Sequence, residues 1–176
     1  GGHAAIDHLE AAFASGMDAV TVNKGPIAWA YRRVQSAADR HGRRLRFEGV
    51  TMDGCPVYGL AEFCLPGATV TGFHGVLNAT TNHIMDAMAA GATFDDALAV
   101  ARREGFAEAE PSHDVDGHDA AAKVAALANV LMDARITPDD VSRSSIRGVT
   151  PTVVEEARAR GGRLRMRCAA ERLADG

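Results

Sequence analysis

The sequence predicts an α/β fold containing part of an open parallel sheet. The first 50 residues alternate helix, strand, helix, strand, the order that crossover helices impose on parallel strands. The chain has 176 residues, of which 47% are hydrophobic and 24% charged, the composition of a globular protein with one domain or two incomplete ones. Later segments keep helical periodicity but intersperse single strands.

The elements are justified in order. Ile6, Leu9 and Phe13 share one face of a helix over residues 4–15, which Gly16 ends. Residues 18–22 (DAVTV) form a short apolar strand. Asn23-Lys24-Gly25-Pro26 is a turn, and Pro26 is suited to open a helix over 26–40. Residues 44–50 alternate, with Leu45 and Phe47 on one side, as in a strand. Gly54 and Pro56 break the pattern, and a helix over about 56–65 and a strand over 68–77 are expected next. Asn78 and Thr80 lead into a helix over 80–90. Thr93 caps another, whose Asp95 and Asp96 suit its positive end and whose stripe is Phe94, Ala97, Leu98 and Ala101. Gly105 stops it, and residues 106–117 are an acid-rich loop. Ala120, Val124, Leu127 and Leu131 line a helix over 118–133. Thr137-Pro138 and Thr150-Pro151 are helix starts. Residues 163–170 alternate strictly, predicting a strand with Leu164, Met166 and Cys168 inward and Arg163, Arg165 and Arg167 in solvent.

Composition excludes several function classes. A formal net charge of −4 and 5% aromatic residues argue against nucleic-acid binding. No apolar run reaches the length of a membrane span, so a membrane partner is not expected. Three scattered cysteines fit a reducing compartment, hence a cytoplasmic protein. The chain starts Gly1-Gly2 rather than with Met, and a helix follows almost at once, so a piece of a longer protein is expected.

Chemistry concentrates between Glu104 and Lys123 (EGFAEAEPSHDVDGHDAAAK). Asp119 and Lys123 are four apart, on one helical face, flanking the apolar stripe at the rim of a core. Such a pair is either an ordinary surface bridge, worth ~0.3–0.5 kcal/mol, or a reactive one. Of 19 basic residues only Lys24 and Lys123 are lysine, and lysine, unlike arginine, can release a proton. His113 and His118 match no zinc spacing, and Asp114-x-Asp116-Gly117 lacks the closing Glu of a calcium loop. No G-x-S-x-G elbow and no G-x-G-x-x-G turn occurs.

Four segments together resemble the homoserine dehydrogenase family. They are Gly105 to Pro111 (GFAEAEP) with Asp114 to Asp119 (DVDGHD) and Lys123; Thr21 to Pro26 (TVNKGP); Asn78 to Asn82 (NATTN); and Glu48 to Pro56 (EGVTMDGCP). Ala79, His83 and Glu110 stand where the family commonly has Gly, Tyr and Asp, and Met52-Asp53-Gly54 replaces a small glycine-rich run.

The resemblance implies that residues 1–55 end a Rossmann-type NAD(P)-binding domain. Residues 56–176 would then belong to an α+β catalytic, homoserine-binding and dimerisation domain, truncated here. It implies NAD(P)-dependent interconversion of L-homoserine and L-aspartate 4-semialdehyde, in threonine and methionine biosynthesis, by a homodimer. On this resemblance Lys123 is the general acid/base and Asp119 contacts the substrate hydroxyl or holds Lys123. Glu108 binds the substrate ammonium and Asp114 lies in the substrate site. Lys24 and Asn23 face the nicotinamide. Glu48, Thr51, Asp53 and Cys55 match a site for a monovalent cation such as sodium. Two other readings remain open at this point: an inactive fragment or dimerising module, and a related dehydrogenase of another small hydroxy or amino acid.

Overall fold

In the computed structural model, which describes residues 2–173, helices start where a side chain can take over an orphan backbone N–H. Helix α1 is Gly2–Ala14 and ends before Gly16, whose φ of +80° suits glycine. Strand β1 is Ala19–Val20 and helix α2 is Lys24–Arg40. Asn23 caps α2 by accepting from the Gly25 N–H at 2.9 Å, so this helix opens two residues before Pro26. Proline is tolerated there because the first-turn N–H groups have no helical partner. Strand β2, Leu45–Arg46, pairs parallel with β1, Ala19 opposite Leu45. Both strands are shorter than their alternation predicts. Phe47 leaves the extended region (φ −152°, ψ 26°) and starts a 3₁₀ turn at Glu48–Val50 that stops the ladder.

Helix α3 is a single turn, Val57–Gly59, continued by a π turn at Leu60–Cys64. Strand β3 is Gly72–Gly75. Helix α4, Ala79–Ala89, is capped by Asn78, and helix α5, Phe94–Arg103, by Thr93, as the sequence predicts. The acidic segment is not wholly a loop, since Ser112–Val115 winds into the short helix α6. Helix α7 is His118–Leu131, helix α8 is Pro151–Ala159, and strand β4 is Cys168–Glu171. A capping box at Thr137 and Asp140 opens the 3₁₀ turn Pro138–Asp140.

The strand expected over 163–170 begins only at Cys168. Leu164 and Met166 turn inward as predicted, but against helices rather than beside a strand. Arg165 is not a solvated residue: its side chain is 21% exposed and donates to Asp86 at 2.5 Å.

The chain divides into two units. One comprises residues up to Phe73, Ala121–Val141 and the segment from Ala169. There α1 packs on α2, with Ile6, Phe13, Ile27 and Val34 almost fully buried, and the parallel pair lies in the same unit. Within it α2 is interrupted at Ala30 (φ −152°, ψ 30°), and the buried Asn129 side chain of α7 donates to the carbonyls of Ala28 at 3.3 Å and Ile136 at 2.9 Å. The other unit comprises His74–Ala120 and Ser142–Cys168. Its core is Ile84, Met85 and Met88 of α4, Leu98 of α5, and Ile146 and Val154. Strands β3 and β4 pair with each other, and the border between the units passes through both, as it passes through α7.

Candidate active site

The second unit brings two of the expected acids together. Asp114 sits on α6 and Asp119 in the first turn of α7, where a carboxylate suits the helix's positive end. Both are half-buried. The buried Asn78 donates from Nδ2 to Asp114 Oδ1 at 2.7 Å and to Asp119 Oδ2 at 3.1 Å. Its Oδ1 accepts from the Thr81 N–H at 2.8 Å. The turn between the acids is held from outside by a second cluster. Arg147 donates to Asp116 at 2.8 and 3.1 Å, and Ser145 Oγ donates to Asp116 at 2.7 Å. These bonds hold the Asp116 carboxyl below its ordinary value of 3.8, the Arg147 bonds contributing most. Gly117 has φ +79°, and a Cβ there would approach the Ser144 carbonyl oxygen at 3.3 Å, so the turn requires glycine.

Glu108 lies exposed between α5 and α6. Its segment is anchored two residues earlier, where Thr80 Oγ1 donates to the Phe106 carbonyl at 2.6 Å. The Phe106 ring stacks on His83, with centroids 4.5 Å apart. Glu110 accepts from the Ser112 N–H at 3.0 Å and from its hydroxyl, and both bonds lower the carboxyl below its usual 4.5. Ala79 is accommodated as the first residue of α4, at a backbone conformation open to any side chain.

In the first unit, Lys123 is half-buried on α7, one turn beyond Asp119. Lys24 is half-buried at the first position of α2, just past the C-terminal end of β1, with Asn23 beside it. Ligands of open parallel sheets gather at that edge, and a helix N-terminus favours negative charge. Glu48 accepts from the N–H groups of Tyr58 and Gly59, both at 2.8 Å, so its carboxylate caps α3. Thr51 Oγ1 is bonded to Tyr58 Oη at 2.6 Å. The side chains of Glu48 and Thr51 are thus committed, and a cation in this segment would be left the backbone carbonyls, including those of the exposed Asp53 and Cys55. Oxygen-only donors of this kind suit a hard cation. Among the described residues no group of three or more His, Cys, Asp or Glu side chains is disposed to hold a metal ion. His113 and His118 stack edge to face, their centroids 5.8 Å apart. A cavity of about 600 Å³ in this unit, lined by Tyr31, Phe47, Tyr58 and Val130 among others, contains none of the expected site residues.

Residues 56–174 match the family model for homoserine dehydrogenase. The chain belongs to the homoserine dehydrogenase family. A relative described as NAD(+)-dependent homoserine dehydrogenase, from Pseudomonas canavaninivorans, is 40% identical over 175 residues, covering 99% of this chain and 50% of the relative. A homoserine dehydrogenase structure from Thiobacillus denitrificans superposes with a TM-score of 0.93 at 29% identity, over 100% of this chain and 41% of that one. A hyperthermophilic archaeal homoserine dehydrogenase in complex with NADPH gives a TM-score of 0.83 at 30% identity, over 96% and 49%. The α/β fold is therefore that of homoserine dehydrogenases, and the chain spans about half or less of the length of the curated relatives it matches. Two features of the candidate site carry no chemical role in the sequence reading: Asn78, which enters it as a helix start and as part of the Asn78 to Asn82 family segment, and the Arg147 clamp on Asp116. The signal for Asn78 was its amide, since a cap alone needs only an oxygen. No sequence signal marked Arg147. Among the described residues, no helix is long and apolar enough to cross a membrane.

Proposed function

We propose that the protein carries the substrate-handling part of an NAD(P)-dependent homoserine dehydrogenase, interconverting L-homoserine and L-aspartate 4-semialdehyde. The observation that carries this reading is the joining of Asp114 and Asp119 by one buried amide, with Lys123 a turn further along the helix that bears Asp119. NAD(P), when bound, would supply the hydride-accepting and hydride-donating group for the alcohol carbon. Lys123 takes the hydroxyl proton as the C–O bond becomes a carbonyl, and gives it back to the aldehyde oxygen on reduction. Asp119 contacts the substrate hydroxyl or holds Lys123, and Asp114 completes the substrate-side cluster. Glu108 receives the substrate ammonium, a charge-assisted contact. Lys24 and Asn23, at the C-terminal edge of the parallel pair, face the nicotinamide. The names of the relatives, one NAD(+)-dependent and one seen with NADPH, support either nucleotide. Carbonyl oxygens of Glu48, Thr51, Asp53 and Cys55 would hold a monovalent cation. Residues 1–55 belong on this reading to the nucleotide-binding domain and 56–176 to the catalytic and dimerisation domain of a cytoplasmic homodimer, in threonine and methionine biosynthesis.

The test is Lys123→Arg in the full-length enzyme, assayed by nicotinamide absorbance with L-homoserine. Arginine keeps the charge but cannot give up a proton. The expected outcome is an unchanged thermal midpoint with kcat lowered ~10²–10⁴-fold. Retention of more than about a tenth of kcat, well above that range, would make the lysine a structural partner, a role arginine fills equally well.

A further inference from the structure

We propose that the first turn of α4 is a positioning platform for the substrate-site acids, with Asn78 setting the separation of Asp114 and Asp119. This rests on the reading of those acids as the amino-acid pocket. Asn78 is only 5% exposed and uses its two polar atoms for different purposes. Its oxygen caps α4 through the Thr81 N–H, a task Ser or Asp performs as well. Its nitrogen is spent on two carboxylates, one from α6 and one from α7. Two carboxylates held this close repel each other, and each is stabilised by a donor aimed at it. One amide group offers two N–H donors at a fixed angle, so it sets where both carboxylates stand.

The same turn grips the other end of the acidic segment. Thr80, 7% exposed, donates to the Phe106 carbonyl two residues before Glu108. One turn further, His83 stacks on the Phe106 ring. Residues 78–83 therefore fasten both the stretch leading to Glu108 and the pair Asp114 and Asp119. Asn78 and Thr80 act through the acids and are positioning residues.

Asn78→Ser and Asn78→Asp in the full-length enzyme separate this role from capping. Both keep an oxygen for the Thr81 N–H, so a cap alone predicts wild-type kinetics. The platform predicts a KM for L-homoserine raised about tenfold or more in Asn78→Ser, beyond the lowered thermal midpoint that the loss of two internal bonds to charged groups brings by itself. The change in kcat is expected to be smaller. Asn78→Asp, which sets a third carboxylate against the pair, raises KM further. Thr80→Val leaves the cap and the amide in place and raises KM from the other end of the platform. A crystal structure of Asn78→Ser gives a reading independent of activity: Asp114 and Asp119 move apart. Wild-type KM in both Asn78 variants, or unmoved carboxylates in that structure, overturns the proposal. A wild-type enzyme that does not oxidise homoserine overturns the functional reading instead, and the carboxylate separation still decides the role of Asn78.

Discussion

Burial pushes the Tyr58 phenol up to about 12, because the ionised form would lose its hydration. Its folded value lies above the ordinary 10, so the neutral phenol favours the folded state in full below pH 10. That contribution is lost as pH rises toward 12. Tyr58→Phe removes the titrating group and is expected to flatten the alkaline fall in thermal midpoint. At neutral pH it costs about 1 kcal/mol, since the buried Thr51 hydroxyl loses its partner. Denaturant titrations at neutral and alkaline pH measure both effects. Glu108 has a different signature. If it meets the substrate ammonium, Glu108→Gln raises KM for homoserine by roughly 10–100-fold, the loss of a charge-assisted bond, with little change in folding. An unchanged KM and kcat would make it a surface acid.

Among the elements, the caps were the most legible part of the sequence. Asn78, Thr93 and Thr150 start their helices because each offers an oxygen to an N–H three residues on, a local bond that needs no knowledge of the fold. Strand lengths were not legible. Alternation at residues 163–167 reports that Leu164 and Met166 face the core, partly buried, and packing against helices produces the same pattern as packing under a sheet. For the site, side-chain type pointed to Asp119 and Lys123, whereas the bonds from Asn78 join residues 36 and 41 positions apart, beyond any local rule. The Arg147 clamp on the turn before α7 carries its own prediction. Asp116 titrates below the ordinary 3.8, so the clamp stabilises the fold fully above that pH. The contribution fades as pH falls through the lowered value. Arg147→Met should therefore lower the thermal midpoint at pH 6 and converge on wild type under acid conditions. A difference that persists unchanged in acid would show that the clamp does not act through the Asp116 charge.

For the molecule as a whole, the chain contains no G-x-G-x-x-G turn and spans half or less of its relatives' length. The phosphates of a dinucleotide are ordinarily gripped by that turn and the helix N-terminus behind it. The 176-residue chain is thus expected to bind NADH and NADPH far more weakly than the full-length protein, as calorimetric titration of both would measure. Micromolar binding by the shorter chain would place the main nucleotide contacts within these residues.

The break at Ala30 has a mechanical meaning for α2. An unbroken helix transmits one axis from end to end, so the direction of its first residue is dictated by the packing of its last. Here the helix is kinked, so the turn that begins at Lys24 and the segment after Ala30 follow two axes rather than one. The Asn129 amide on the Ala28 carbonyl acts as the pin of that joint. The amide thus ties the stretch that begins at Lys24 to α7, about a hundred positions away in the chain.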